Sequence, residues 1–172
     1  NGLLMRTWQF AGHVSQVARP GDYFAFEMSG ENLFCLRDRA GEVRTFFNVC
    51  QHRAHQLVSG SGHASLVVCP YHSWTYELTG QLRAGPNIRS VPDFPKSEIC
   101  LTSVRTEVFH GFIFVNFDDD AAPMDDWFPG VREERGACAP EIARLAPLEG
   151  VESPGKCNWK VSIENYSECY HC

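Results

Sequence analysis

The sequence predicts a mainly β domain followed by the first elements of an α+β domain, and three observations predict it. Between residues 21 and 118, short apolar runs rich in Phe, Val, Ile and Tyr alternate with clusters of Gly, Pro, Asp and Asn, the pattern of strands joined by turns. The acidic run Asp118-Asp119-Asp120 then closes that region. From Trp159 to Cys172 apolar residues recur at helical spacing instead.

Taken in chain order, Pro20-Gly21 introduces the strand Asp22 to Met28, and Asn32 to Arg37 runs into the turn Asp38-Arg39-Ala40-Gly41 before Val43 to Asn48. These three strands form a meander. Leu66 to Val68 is a short strand, and Trp74 to Leu78 is another, ended by Thr79-Gly80. Three prolines break the stretch from Pro86 to Pro95, which is expected to be an exposed loop. Val104 to Phe109 pairs with Phe112 to Asn116 across His110-Gly111, a hairpin marked by its glycine turn. Beyond the acidic run, Met124 to Val131 and Glu141 to Ala146 read as short helices, Leu148 to Ser153 as a strand, and Trp159 onward as a helix. The domain limits that follow are a lead-in at 1–20, a β domain at 21–118, a connecting segment at 119–147, and the start of a second domain at 148–172. No internal repeat or low-complexity tract interrupts them.

A chain of 172 residues, 44% hydrophobic, can bury one good core and begin a second. It is therefore expected to be a piece of a longer protein, cut at both ends. The net charge of -6, without any run of Lys or Arg, gives no footprint for nucleic acid or for an anionic membrane surface. No apolar stretch approaches the roughly 20 residues needed to span a bilayer, and no signal peptide is visible, so a cytoplasmic location is expected.

The chemistry is concentrated in two short pairs, Cys50-x-His52 and Cys69-x-x-His72, separated by sixteen residues. Two thiolates and two imidazoles in this arrangement describe a Rieske [2Fe-2S] centre, in which two Cys hold one iron and two His hold the other. Structural zinc also accepts two Cys and two His. A zinc finger, however, usually takes its two Cys from one pair and its two His from the other, whereas here each pair mixes one of each. Mixed pairs suit a two-iron cluster, each loop giving a sulfur to one iron and a nitrogen to the other. Pro70 stiffens the second loop, and Tyr71 is positioned in sequence to offer a hydroxyl to a sulfur.

Phe47-Asn48-Val49-Cys50-Gln51-His52-Arg53-Ala54-His55 and Cys69-Pro70-Tyr71-His72-Ser73-Trp74 resemble the cluster-binding loops of the Rieske non-haem iron oxygenases, oxygenase (alpha) subunit. Asn158-Trp159-Lys160 and Glu164-Asn165-Tyr166-Ser167-Glu168-Cys169-Tyr170-His171-Cys172 resemble the start of that family's helix-grip catalytic domain. Within the family, the first loop and the stretch Glu168 to Cys172 look most like the carnitine monooxygenase and glycine betaine demethylating branch. The resemblance implies a Rieske cluster on Cys50, His52, Cys69 and His72, and a mononuclear Fe(II) for which His171 is the first His ligand, the others lying beyond Cys172. It further implies that Glu168 bridges that iron's His and a cluster His of a neighbouring subunit. On a helix, Asn165, Glu168 and His171 fall at successive i, i+3 positions and share a face. The expected partners are an NAD(P)H-dependent reductase or ferredoxin, O2, a small-molecule substrate such as a quaternary amine, and two further copies in a homotrimer. An aromatic-ring-hydroxylating dioxygenase alpha subunit and a Rieske ferredoxin that only carries electrons are the alternatives.

The remaining candidates are read as structural. His55 is expected on a loop surface, and His13, His63 and His110 beside turns in solvent. Tyr71, Trp74 and Tyr76 could form an aromatic cage for a trimethylammonium group, yet packing beside the cluster explains them better. The irregular spacing of Cys35, Cys100, Cys138, Cys157, Cys169 and Cys172 suggests small hydrophobes in a reducing compartment rather than disulfides.

Overall fold

The computed structural model describes residues 2–144, 146 and 155–168. The meander comprises β2 (Asp22–Met28), β3 (Glu31–Arg37) and β4 (Val43–Phe47). Ser29 and Gly30 join β2 to β3 with φ of 56° and 87°, the pair of positive dihedrals that a two-residue hairpin turn matched to strand twist requires. His110 and Gly111, at 52° and 84°, do the same between β9 (Ser103–Phe109) and β10 (Phe112–Asn116). β1 (Gln9–His13), within the expected lead-in, pairs with β10, and β5 (Ser61–His63) pairs with β2. The result is an antiparallel seven-stranded sheet of order β1-β10-β9-β4-β3-β2-β5. A second sheet of order β6-β7-β8 is made of β6 (Val67–Val68), β7 (Thr75–Tyr76) and β8 (Leu82–Ala84).

The main core lies between the meander and the small sheet. Phe34, Leu36 and Phe46 meet Leu57, Val67, Tyr76, Leu78, Leu82 and Leu101 there, with Cys50 and Cys69 in the same cluster. Alternate residues of β3 face the other way, where Cys35 joins Val17, Phe24 and Ile113. β3 is thus buried on both faces, which explains its unbroken apolar run Leu33-Phe34-Cys35-Leu36. Each such side chain contributes roughly 1.5–3 kcal/mol over its exposed state. Burial also pushes the Cys35 thiol up to about 12, so this cysteine is an inert hydrophobe. Cys100, Cys138 and Cys157 are instead exposed, and the six described cysteines are all free.

Several expectations change. The helix expected over Met124 to Val131 is two helices, α1 (Met124–Trp127) and α2 (Val131–Cys138). Pro129-Gly130 separates them, Gly130 taking a φ of 81°. In the segment Glu141 to Ala146 only a 3₁₀ turn, Ile142–Arg144, is described. The expected strand Leu148 to Ser153 lies outside the described residues. The Pro86 to Pro95 stretch is not simply an exposed loop: a 3₁₀ turn, Ile88–Ser90, drives Ile88 into the core. α3 (Trp159–Ser167) is capped by Asn158, whose Oδ1 accepts the Lys160 N–H at 3.1 Å. His13 is buried rather than solvated, because its Nδ1 accepts the Ser15 N–H and caps the 3₁₀ turn Val14–Val17. His110 is half-buried, its Nε2 shut away from solvent, while His63 is exposed as expected and pairs with Asp22 at 2.9 Å.

Candidate metal centre

Two loops with the same backbone wiring carry the four predicted donors. In the first, the Cys50 N–H donates to the His55 carbonyl and the Ala54 N–H to the Cys50 carbonyl, each at 2.9 Å. In the second, the Cys69 N–H donates to the Trp74 carbonyl at 2.8 Å and the Ser73 N–H to the Cys69 carbonyl at 2.9 Å. Ala54 and Ser73, each four residues past its cysteine, turn the chain with φ of 54° and 56°. Left-handed backbone at a non-glycine residue is uncommon, and finding it twice at one position marks two loops built to one plan.

The wiring fixes where each side chain goes. Cys50 and Cys69 point into the core and are 2% and 1% exposed. His52 and His72 lie at the outer ends of the loops, their ring centroids 4.8 Å apart. The His52 ring stacks on Trp74 at 4.8 Å and 9°, and the His72 ring stacks on Tyr71 at 3.7 Å. His72 Nδ1 is buried and without a hydrogen-bond partner. A buried polar atom left without a partner costs free energy unless something absent from the protein chain takes it up. A metal ion on His72 Nδ1 would do so. A single tetrahedral zinc would draw all four donors around one point, and among the described residues no three Cys, His, Asp or Glu side chains converge in that way. Sulfur inside and nitrogen outside fits a two-metal unit instead.

The electrostatics are those of a ligand set. Burial pushes the Cys50 thiol up, against the Tyr76 hydroxyl and the His52 N–H, which favour the thiolate; the neighbouring Cys69 raises it again. The buried Cys50 thiol therefore resists ionisation until a cation shares its charge. Burial holds the His72 imidazole below its ordinary value, helped by charge repulsion with His52, Arg53 and His55. The neutral form is the one that binds metals.

The structure also supplies partners that sequence reasoning missed. The hydroxyl beside a sulfur belongs to Tyr76, not to Tyr71. Tyr76 is wholly buried, accepts the Gln51 N–H at 3.1 Å, and lies 3.2 Å from Cys50 Sγ. Toward a Cys50 thiolate, which has no proton to give, the Tyr76 hydroxyl is the donor, while Gln51 takes one of its acceptor positions. Tyr71 is 55% exposed and serves only as a stacking plate. The alternation Trp74, Tyr76, Leu78 was the available signal, since it sends Tyr76 inward. Asn48 is the second omission. Its Oδ1 accepts the Leu57 and Val58 N–H groups at 3.0 Å, and its Nδ2 donates to Asn32 Oδ1 at 3.0 Å and to the Val58 carbonyl at 2.8 Å. All four of its hydrogen-bonding positions are used, tying together the two ends of the first loop.

His52 and His72 line a groove of 460 Å³ with Trp74, Ile88, Val91 and Phe94. His55 is exposed, as expected, and its ring Nδ1 donates to the Gln56 carbonyl at 2.6 Å. Glu168 is not on the helix with Asn165. α3 ends at Ser167, and Glu168 leaves it in an extended conformation with ψ of 116°, exposed to solvent. His171 lies outside the described residues.

Comparison with known proteins agrees with this geometry. The Rieske [2Fe-2S] domain family matches residues 7–95, and the ring hydroxylating alpha subunit (catalytic domain) family matches residues 142–172. The carnitine monooxygenase oxygenase subunit of Acinetobacter baumannii is 38% identical over 99% of this chain and 46% of its own length. The glycine betaine monooxygenase oxygenase subunit of Pseudomonas aeruginosa is 32% identical over 99% of this chain and 39% of its own. Among solved structures, the quaternary ammonium Rieske monooxygenase CntA in complex with L-carnitine superposes with a TM-score of 0.90 at 37% identity, over 98% of this chain and 48% of that one. The chain thus spans a little under half the length of the curated relatives it matches.

Proposed function

We propose, from the premise that this chain belongs to the Rieske [2Fe-2S] domain family, that it is the electron-receiving part of an oxygenase alpha subunit acting on a quaternary amine such as carnitine or glycine betaine. One observation carries the proposal. Two identically wired loops bury a pair of thiols beneath a pair of imidazoles, and His72 Nδ1 is left buried and unpartnered. Cys50 and Cys69 would hold one iron and His52 and His72 the other. When bound, the cluster supplies reversible one-electron transfer at a potential raised by its two His ligands.

The protein side of the chemistry follows from the residues. The core around Cys50 and Cys69 excludes water, Tyr76 donates to a sulfur, Trp74 and Tyr71 hold the imidazoles in place, and Asn48 fixes the first loop. The resemblance assigns electrons to an NAD(P)H-dependent reductase or ferredoxin upstream and to a mononuclear Fe(II) downstream. His171 would be the first ligand of that iron. Glu168, free of helical restraint, would connect the iron's His to a cluster His of the next subunit in a homotrimer. The same reading divides the chain into a Rieske domain at 21–118, a connection at 119–147 and the start of a catalytic domain at 148–172, and gives the parent a cytoplasmic home. No described helix is long and apolar enough to cross a membrane.

The test is O2 consumption by the full-length parent with an NAD(P)H reductase, comparing carnitine, glycine betaine and naphthalene. Consumption coupled to demethylation or hydroxylation of a methylated amine supports the reading. Coupling to naphthalene alone moves the parent to the aromatic-ring branch. Reversible cluster reduction without O2 consumption makes it a carrier.

A further inference from the structure

The chain carries 21 Asp and Glu, yet none falls between Val43 and Tyr76. At the chain's average density, a stretch of that length would hold about four. Both loops of the candidate metal centre lie inside this acid-free stretch, whose only charged side chains besides the histidines are Arg44 and Arg53. The sequence that carries both loops is therefore neutral to positive within an acidic protein.

Residues of this stretch, with Tyr23 of β2, line a groove of 610 Å³ distinct from the histidine-lined one. Tyr23, Leu57, Leu66, Val68 and Pro70 form its apolar floor, His55 stands at its edge, and no carboxylate lines it. Val68 is 48% exposed in it. Cations flank the opening. Arg39 reaches over to donate to the Ser65 carbonyl at 3.1 Å, between the lining residues Ala64 and Leu66, and it and Arg83 both pair with Glu77. The carboxylates nearest to it are already paired: Glu77 with both Arg39 and Arg83, Asp22 with Arg19 and His63. Glu77 answers two guanidinium groups with one charge, so the rim keeps a positive surplus.

We infer that this groove is the docking surface for an acidic one-electron donor protein, its apolar floor giving contact and its rim charges steering the approach. The inference rests on the reading of the four donors as a cluster site. A donor seated on this groove leaves the histidine-lined one free for an acceptor. In the step itself one electron leaves the donor's reduced [2Fe-2S] centre and enters the oxidised cluster, so the donor is oxidised and the cluster reduced. Complementary charge raises association rates by tenfold to a thousandfold at low salt and loses its effect as salt screens it.

The experiment is stopped-flow reduction of the cluster-loaded chain by a reduced plant-type ferredoxin, an acidic carrier whose potential is low enough to reduce a Rieske centre. The second-order rate constant is expected to fall as NaCl is raised. Arg39→Glu and Ser59→Glu, which place negative charge on the rim and in the groove, should each lower it by about threefold or more at low salt. Both variants should keep the parent's dithionite-reduced paramagnetic resonance spectrum, which shows that the cluster site is intact. Unchanged ferredoxin rates in both variants overturn the inference, as does a slowing produced only by Asn87→Glu in the histidine-lined groove. A concentration-dependent dimer that Ser59→Glu dissociates also overturns it, because a second copy would then occupy the groove. If dithionite yields no cluster signal in the unsubstituted chain, the cluster reading itself fails first.

Discussion

Tyr76→Phe removes one oxygen from a fully buried side chain and leaves the ring in place. Two interactions go with it: the hydroxyl 3.2 Å from Cys50 Sγ and the acceptor for the Gln51 N–H at 3.1 Å. A hydrogen bond to a charged group is worth about 1.5–3 kcal/mol net. The sulfurs of a reduced cluster carry more negative charge than those of an oxidised one, so the bond favours the reduced form, and about 1–2 kcal/mol of it is differential. One tenfold step is 1.36 kcal/mol and, for one electron, 59 mV. The midpoint potential should therefore drop by about 40–90 mV. The orphaned Gln51 N–H should cost a further 1–3 kcal/mol or so of stability. A redox titration followed by paramagnetic resonance reads the first effect, and urea unfolding the second. A folded variant with a full cluster and an unmoved midpoint refutes the assignment of the Tyr76 proton to the sulfur.

Asn48→Ala strips both ends of the first loop of their clamp and should lower stability by about 3 kcal/mol, seen as a fall in melting temperature together with reduced iron content after reconstitution. His72→Cys should lower the midpoint potential or lose the cluster; an unchanged potential counts against His72 as a ligand. Asp38 gives a pH prediction. Burial raises its carboxyl, but the Arg44 guanidinium at 2.7 Å and the N–H groups of Glu42 and Ala40 outweigh burial and hold it below the ordinary 3.8. Its contribution is thus present above that value and lost as pH falls through the lowered folded one. Arg44→Met should move the acid-unfolding midpoint to higher pH, as followed by far-ultraviolet circular dichroism. In the full-length parent, Glu168→Ala should spare cluster reduction yet slow reoxidation of the cluster by the mononuclear site. Rapid-mixing kinetics indistinguishable from the parent's contradict the relay role.

The site was legible in the sequence where its causes are local. Cys50, His52, Cys69 and His72 are set by spacing within two tight loops, so a reader of the chain finds them. β2 and β10 coincide with their predicted limits, because apolar alternation and glycine turns define them. Interactions across the fold were less visible. Tyr76 reaches Cys50 over 26 residues and Asn48 reaches Asn32 over 16; the alternation about Tyr76 sends it inward, but neither partner is announced by the residues beside it. β1, β5 and β8 were missed because Gly, Ser and His dominate β5, β8 is three residues long, and β1 exists only through pairing with the distant β10. The error at Glu168 came from continuing a helical period past the point where the backbone turns extended.

The central claim is that four side chains from two matching loops hold a two-iron, two-sulfide unit. Its most direct measurement is metal analysis of the anaerobically reconstituted chain combined with paramagnetic resonance after dithionite reduction. The account predicts two irons and two sulfides per chain, with the low-g spectrum of a reduced Rieske centre that Cys50→Ser abolishes. A single bound zinc, or iron without that spectrum, contradicts it.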